Sequence, residues 1–246
     1  MKLKIAGAAQ ASRFKQQRGI PCEDAVFKRV AHGIHCMVLC DGAGSKKYAA
    51  TGARTAARTA ALYITANFAE LATAIDLGRV SEVAKNLIDQ IISDLKHKRF
   101  ARLTGVQEYA STLLFAATDK KRVIVGQLGD GGIGLITDNA RLAFQIPKGE
   151  FANQTYFTTS PSSAEHLQLA LLPITDLRGI IIFSDGTAQS LIENKSNTFG
   201  SAAATMVGWL QSNSATVVQE ALSKNLKEHF VMRTHDDCSI SIMSLS

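Results

Sequence analysis

The chain has 246 residues, 46% of them hydrophobic, and carries a formal net charge of +6. This composition excludes collagen-like, low-complexity and repeat proteins, and no apolar run reaches the roughly 20 residues that a membrane-spanning helix needs. The length and the apolar content favour a single domain over residues 1–246. We expect a cytoplasmic protein that does not associate with a membrane.

The first part of the chain is predicted to form three short strands followed by two helices. The strand-like runs are KLKIAGAA, DAVFKRVA and GIHCMVLC. A secretion signal is less favoured for the first run because Gln10 interrupts its apolar part. From Tyr48 to Phe68, alanine and larger apolar residues recur at helical spacing, and a second helix is predicted over about 81–98.

The rest of the chain is predicted to form strands, a flap and a second pair of helices. STLLFAATDKKRVIVGQLGDGGIGLITDN indicates two antiparallel strands joined at TDKK, with a third strand after a glycine-rich corner. Residues 144–178 are assigned to strands and to a surface flap around NQTYFTTSPSS, with an edge hairpin as the alternative. A buried strand GIIIFSD, two helices within 200–230 and a strand CSISIMSL follow. Blocks of strands alternating with helix pairs predict two packed sheets with helices outside, an α+β fold.

Neither the cysteines nor the basic residues form an obvious site. Cys22, Cys36, Cys40 and Cys238 contain no C-x-x-C pair, which favours reduced core thiols over zinc ligands. The densest basic cluster, KHKR at 96–99, is expected at a helix C-terminus, where cations complement the helix dipole, with a docking patch as the alternative. No aromatic residues alternate with the basic ones, so a nucleic-acid-binding function would depend on the net charge alone.

Two glycine-rich stretches resemble nucleotide-binding loops but lack the required spacing. In VLCDGAGSKK the residue directly before Lys46 is Ser45 instead of glycine, and Asp41 occupies the end of the strand, which excludes a Walker loop. Residues 129–134 satisfy G-x-G-x-x-G, but the next residues predict a strand instead of the helix that a dinucleotide site needs. Asp130 within this loop would also repel phosphate.

Acidic residues recur instead where apolar runs end. They occur in PCED, VLCDG, QLGDG, IIFSDG and HDDCS, which contain Glu23, Asp24, Asp41, Asp130, Asp185, Asp236 and Asp237. One Asp-Gly pair at a strand end usually marks only a turn. Several carboxylates converging at one sheet edge would repel each other unless cations neutralised them. Hard divalent ions take oxygen ligands, so the pattern predicts an Mg²⁺ or Mn²⁺ site.

The order of these motifs resembles that of the metal-dependent PP2C (PPM) protein phosphatases. The motifs are E-D, strand-D-G, G-D, S-D-G and a C-terminal D-[DN]-x-[ST], and the resemblance covers nearly the whole chain. IPCEDA, DGAGSKKYAATGA and YASTLLFAA further resemble a bacterial branch of the family. The resemblance implies a four-layer α-β-β-α sandwich in which helix pairs flank two central antiparallel sheets. It also implies a centre of two Mn²⁺ or Mg²⁺ ions between the sheets.

The resemblance assigns the catalytic metal ligands. Asp41 would bridge the two ions, and the Gly42 carbonyl would bind one of them. Asp185 and Asp236 would hold the other ion, and Asp24 would act on the Gly42 side, directly or through water.

The resemblance also assigns supporting roles. Asp130 would serve a third, weaker metal site together with Asp185. Glu23 and Asp237 would orient the ligands. Arg18 is the preferred phosphate-binding residue, with Arg13 as the alternative, because a guanidinium matches two phosphate oxygens.

The acid that protonates the leaving group is not identified by the sequence. Animal relatives have a histidine after D-G, where this chain has Ala43. A metal-bound water or His235 could take this role, although His235 is more readily a structural residue. Lys46 and Lys47 could attract phosphorylated substrates or could simply be solvated.

The implied activity is hydrolysis of phosphoserine and phosphothreonine in proteins. A water between the two ions would attack phosphorus in line and displace the serine or threonine oxygen. The expected partners are phosphorylated proteins, in particular a cognate Ser/Thr kinase or its substrates. Binding to nucleic acid or to a membrane is not expected. The alternative is a PP2C-like pseudophosphatase that binds a regulatory partner, but the metal aspartates are all present, which favours activity.

Overall fold

The computed structural model describes residues 3–146, 155–193, 198–199 and 201–245. The strands in chain order are β1 (Lys4–Gln10), β2 (Ala25–Ala31), β3 (Ile34–Cys40), β4 (Leu113–Thr118), β5 (Arg122–Leu128), β6 (Gly132–Ile136), β7 (Ala140–Leu142), β8 (Gln168–Pro173), β9 (Gly179–Phe183), β10 (Ile192–Glu193), β11 (Thr198–Phe199) and β12 (Cys238–Ser244). Ten of them form two five-stranded antiparallel sheets, ordered β1-β12-β9-β6-β7 and β2-β3-β4-β5-β8, while β10 pairs with β11.

The helices include both predicted pairs and several short segments that were not predicted. In chain order they are α1 (Arg13–Gln17), α2 (Ala49–Asp76), α3 (Val80–Lys96), α4 (Ala101–Thr104), α5 (Ser163–His166), α6 (Asp185–Leu191), α7 (Ser201–Ser212) and α8 (Ala215–Asn225). A 3₁₀ turn (Val106–Tyr109) and a π turn (Leu226–Phe230) complete the helical segments. Among the described helices, none is both long and apolar enough to cross a bilayer.

Side chains that alternate along a strand are buried in two different layers of the core. In β3, Cys36, Val38 and Cys40 are buried against α2 and α3, and both cysteines are free thiols. Met37 and Leu39 point the other way and are buried between the two sheets. This period of two is expected for a strand that is covered on both faces.

The outer face of the first sheet is covered by the second helix pair. The buried side chains of this layer come from β9 and β12 on one side and from α7 and α8 on the other, and include Ile181, Ile242, Met206, Leu210 and Leu222. The layers therefore follow the order helix pair, sheet, sheet, helix pair. The predicted α+β sandwich of four layers is confirmed.

Strand register brings the acidic corners to one edge of the sandwich. In the second sheet Ala25 pairs with Cys40, so the residues before β2 and after β3 are neighbours. In the first sheet Phe183 pairs with both Ile240 and Gly132, so the end of β9 lies between the starts of β12 and β6. The corners are Asp24, Asp41, Asp130, Asp185 and Asp236. Their meeting is a consequence of antiparallel pairing, because adjacent strands begin and end at alternate edges.

Candidate active site

The acidic corners of both sheets surround one pocket of about 160 Å³. Most of the residues predicted for the site line it, namely Glu23, Asp41, Gly42, Asp130, Asp185, Asp236 and Asp237. Asp24 is buried beside Asp41, where each carboxyl affects the other's ionisation. The predicted site residues therefore come together from five separate stretches of the chain.

Backbone contacts hold the Asp41–Gly42 corner in place. The Asp41 N–H donates to Thr112 Oγ1 at 2.9 Å, and the Thr112 N–H donates to the Asp41 carbonyl at 2.8 Å. A Cβ at Gly42 would lie 2.9 Å from the carbonyl oxygens of both Ala49 and Glu23. Glycine is therefore required where the start of α2 packs against this corner.

The Asp185 corner begins a short helix whose first turn faces the pocket. The Gly186 N–H donates to Asp185 Oδ1 at 2.6 Å, at the helix end that favours negative charge. A Cβ at Gly186 would lie 2.2 Å from the Asp237 carbonyl oxygen, so this glycine allows the segment before β12 to approach α6. Asp236 on that segment is exposed.

Asp24 is a buried carboxyl without a hydrogen-bond partner among the described residues. Both of its oxygens are enclosed and unpaired. Burial raises the pKa of Asp24 to about 7, and the negative charge of Asp237 adds to this shift. Ser239, Asp41 and Ser184 lie near enough to oppose the shift, but outside hydrogen-bond geometry. An unsatisfied buried carboxylate is costly unless a positive charge compensates it.

The pKa values of Asp41 and Asp185 are raised in the same direction, in both cases chiefly by burial. Burial raises the pKa of Asp41 well above its ordinary value, and the charges of Asp24 and Asp185 raise it further. The pKa of Asp185 is also raised, first by burial and then by the charge of Asp130. Like charges this close in a low-dielectric setting disfavour full ionisation. A cation in the pocket would reverse these shifts.

The donor set therefore fits hard divalent cations. All candidate ligands are carboxylates or a backbone carbonyl, and Mg²⁺ and Mn²⁺ prefer such oxygen ligands. In the described ranges, no three acidic, histidine or cysteine side chains already surround a point in metal-holding geometry. Binding an ion would require some carboxylates to turn toward a common point, and the unpaired oxygens of Asp24 are free to do so.

Lys15 is a pocket residue that the sequence analysis missed. Its Nζ donates to Glu23 Oε2 at 2.6 Å and to Asp237 Oδ2 at 2.8 Å. Asp237 also accepts the N–H groups of Ser12 at 2.8 Å and Glu23 at 2.7 Å. Burial lowers the pKa of Lys15, but these hydrogen bonds outweigh it and keep the ammonium charged. No signal in the sequence pointed to Lys15, because α1 has only five residues and is too short to show a helical pattern. The family resemblance pointed to an arginine for phosphate binding.

The two predicted phosphate-binding arginines lie outside the pocket. The Arg18 guanidinium is exposed and lies 3.7 Å from the centroid of the Phe14 ring, and Arg13 is also exposed. His235 is exposed and does not line the pocket, whereas Ala43 does. Lys15, on the helix turn between the two arginines, is the cation that contacts the pocket acids.

Lys46 and Lys47, the two lysines that were predicted to attract phosphorylated substrates, differ in their contacts. The Lys46 ammonium lies 3.8 Å from a Glu108 carboxylate oxygen. Lys47 is exposed, and its ammonium lies 5.6 Å from the Tyr48 ring centroid. The exposed Lys47 ammonium is therefore solvated.

Part of the predicted flap forms a wall of the pocket. Residues 153–154 of NQTYFTTS lie outside the described residues. Thr155 Oγ1 donates to Asp130 Oδ2 at 2.6 Å, and both Thr155 and Phe157 line the pocket. Thr158 is buried and its N–H donates to the Ser111 carbonyl at 2.8 Å. The assignment of this segment to the surface was therefore wrong for Thr158, because its backbone is tied to the site.

Residues 12–227 match a family model described as protein phosphatase 2C. The chain belongs to the protein phosphatase 2C family. Serine/threonine-protein phosphatase 3 of Escherichia coli (strain K12) is 26% identical to this family member over 155 residues. That match covers 61% of this chain and 60% of the relative, so it spans less than two thirds of the relative's length.

Solved structures share the fold of this protein phosphatase 2C chain at low sequence identity. A bacterial serine phosphatase structure matches with a TM-score of 0.67 and 14% identity, covering 100% of this chain and 98% of that one. Stp1 of Staphylococcus aureus matches with a TM-score of 0.62 and 14% identity, covering 100% and 96%. RsbX, solved in complex with magnesium, matches with a TM-score of 0.56 and 14% identity, covering 99% and 96%. At these identities the likeness establishes the fold.

Proposed function

We propose that this protein is a metal-dependent phosphatase that hydrolyses phosphoserine and phosphothreonine in proteins, acting as one domain over residues 1–246. The observation that carries the proposal is the cluster of Asp24, Asp41 and Asp185, whose pKa values are all raised by burial. Clustered carboxyls with perturbed pKa values in a cleft are typical of functional sites. Membership of the protein phosphatase 2C family supports the same activity.

The carboxylates around the pocket would hold two Mn²⁺ or Mg²⁺ ions. Asp41 and the Gly42 carbonyl lie at the second-sheet side, with Asp24 behind them, and Asp185 and Asp236 lie at the first-sheet side. Asp130 would contribute to a third site, where Thr155 now donates to its carboxylate. When bound, such ions neutralise phosphoryl oxygens and lower the pKa of water, which is the chemistry that in-line attack on phosphorus requires.

The other pocket residues would position the substrate and the ligands. Glu23 and Asp237 are held by Lys15 and by backbone N–H groups, so their carboxylates are fixed beside the metal ligands. We assign phosphate binding to Lys15 in place of Arg18 or Arg13, since its ammonium is the charged donor that lines the pocket. An ammonium binds phosphoryl oxygens as a point charge without the two-pronged geometry of arginine.

The expected substrates are phosphoproteins made by a Ser/Thr kinase. The cytoplasmic location stays a prediction from the sequence.

The test is phosphate release from a phosphothreonine peptide with Mn²⁺, with Mg²⁺ and with EDTA. We expect metal-dependent turnover that falls at least about 10³-fold in Asp185→Asn, because a carboxylate that would hold a metal ion is lost. Asp89→Asn is the matched control, since Asp89 is exposed and pairs with Lys85 on the same helix, α3. Folded wild-type protein without turnover in any metal would overturn the proposal and favour the partner-binding pseudophosphatase.

A further inference from the structure

A basic groove of about 470 Å³ lies on the outer surface between α2 and α3. We define it by Arg54 and Arg58 of α2, by His97 and Lys98 after α3, and by the hydroxyls of Thr51 and Thr55 between them. The groove contains part of the KHKR cluster of the sequence. It shares no lining residue with the acidic pocket.

The permanent charges of the basic groove are not neutralised within the described part of the chain. Arg54, Arg58 and Lys98 make no ion pair there, and both arginines are exposed. Asp94 is the acid in the groove, and its carboxylate accepts the Thr59 hydroxyl at 2.5 Å. Arg54 and Arg58 lie one helical turn apart, where like charges destabilise a helix slightly. The arrangement therefore favours an anionic ligand from outside.

The groove starts close to the Asp41–Gly42 corner of the acidic pocket. α2 begins at Ala49, whose carbonyl packs against Gly42. At 1.5 Å of rise per residue, Arg54 and Arg58 lie roughly 8 and 14 Å further along the helix. An extended peptide covers about 3.3 Å per residue. A chain whose phosphorylated residue sits in the pocket would thus reach these arginines after about three to five residues.

We propose that the basic groove docks an acidic segment of the phosphoprotein substrate, about three to five residues from the phosphorylated side chain. This inference rests on the proposed phosphatase function and names the substrate class. Charge complementarity is the supporting argument, since two guanidinium groups and an ammonium face the groove while the neighbouring pocket is acidic. Guanidinium groups bind carboxylates with two parallel hydrogen bonds.

A nucleic acid fits the groove less well than an acidic peptide. Non-specific single-strand binding uses aromatic rings on which bases stack. The groove itself has no aromatic lining residue in the described ranges. The adjacent Phe100 already stacks on Tyr48 at 5.4 Å, and the Arg99 guanidinium lies 5.1 Å from its ring centroid.

The test compares two phosphothreonine peptides at low ionic strength. One has four Asp or Glu residues beginning three positions from the phosphothreonine, and the other has Asn or Gln at those positions. We expect the wild type to prefer the acidic peptide by about five- to tenfold in kcat/KM, through KM, and to lose most of this preference at high salt. The Arg54→Glu/Arg58→Glu variant should lose the preference and retain turnover of p-nitrophenyl phosphate.

A charge-matched control separates docking from general attraction. Lys224→Glu/Lys227→Glu changes the net charge equally at exposed residues of the other helix layer, and should keep the preference. The milder Arg54→Gln/Arg58→Gln variant provides the same comparison if the charge reversal prevents folding. A wild type without preference, or equal loss in the control, would overturn the inference.

Binding without catalysis distinguishes failure of docking from failure of the phosphatase function. Fluorescence anisotropy of a labelled acidic peptide without phosphate reports docking even if no turnover is found. We expect Arg54→Glu/Arg58→Glu to weaken this binding at least fivefold. Tighter binding of a single-stranded oligonucleotide than of the acidic peptide, lost in the same variant, would overturn the inference in favour of nucleic acid.

Discussion

The acidic pocket and the basic groove share no lining residue, and they differ in how their charges are solvated. The carboxyl of Asp24 is only 6% exposed and unpaired, and its pKa is raised to about 7. Arg54 and Arg58 are also without ion pairs in the described residues, but water solvates them. Burial makes an unpaired charge costly, so the pocket favours a compensating cation or a bound proton. An exposed unpaired charge costs little because water solvates it. The groove can therefore recognise a ligand through weak electrostatic interactions.

The largest expected effect is in the pocket, at Asp41→Asn. Losing the carboxylate that faces both Asp24 and Asp185 should reduce kcat at least about 10³-fold. The same change removes repulsion between buried charges, so the metal-free variant should unfold at a higher temperature than the metal-free wild type at pH 8. Steady-state kinetics with Mn²⁺ and thermal unfolding with EDTA would measure the two effects. A variant that is equally active would contradict the assignment.

The second prediction concerns the stability of the chelated protein as a function of pH. The folded-state pKa of Asp24 is about 7 and its ordinary value is 3.8, so the folded state binds more protons between these values. The contribution of Asp24 to the free energy of unfolding should therefore be largest near pH 4. It should fall by up to about 4 kcal/mol as the pH rises through 7. Denaturant titrations from pH 5 to 8 would measure the slope. Asp24→Asn should flatten it, and an unchanged slope in that variant would exclude Asp24 as its source.

The third prediction separates Lys15 from the arginines that flank it. Lys15→Met leaves Glu23 and Asp237 without their ammonium partner and should lower the free energy of unfolding by about 2 kcal/mol and raise KM about tenfold. Lys15→Arg should restore most of both losses, since it restores the charge. Arg18→Ala should change stability by less than about 0.5 kcal/mol. A larger rise in KM for Arg18→Ala than for Lys15→Met would return the phosphate-binding role to Arg18.

The smallest effect is expected in the basic groove. Arg54→Ala/Arg58→Ala removes two exposed charges without disturbing a buried contact, so the free energy of unfolding should change by less than about 0.5 kcal/mol. The helix could even gain slightly, because alanine has the higher helix propensity and the like-charge pair is gone. Urea unfolding of the variant and the wild type would measure this change in the free energy of unfolding. A loss above about 2 kcal/mol would show that the arginines support the fold, in contrast to their exposed positions.

Most of the layered fold was predictable because each element carries its own periodic signal. β3 alternates between two apolar faces, and α2 repeats small apolar residues at helical spacing, so both were assigned from local pattern. α6 was missed because its seven residues, Asp185–Leu191, contain too few turns to show a period. Thr158 was misplaced on the surface because the carbonyl that its N–H contacts, that of Ser111, belongs to a distant part of the chain.

The sequence by itself determined that acidic corners lie at the ends of apolar strands and that their order resembles the protein phosphatase 2C pattern. It could not determine which corner would be buried, because burial depends on how antiparallel strands of two sheets align at one edge. Tertiary structure alone placed Lys15 beside Glu23 and Asp237 and left Arg18 over Phe14. The physical reason is that ionisation and pairing respond to distance and solvent, and these are set by residues far apart in the chain.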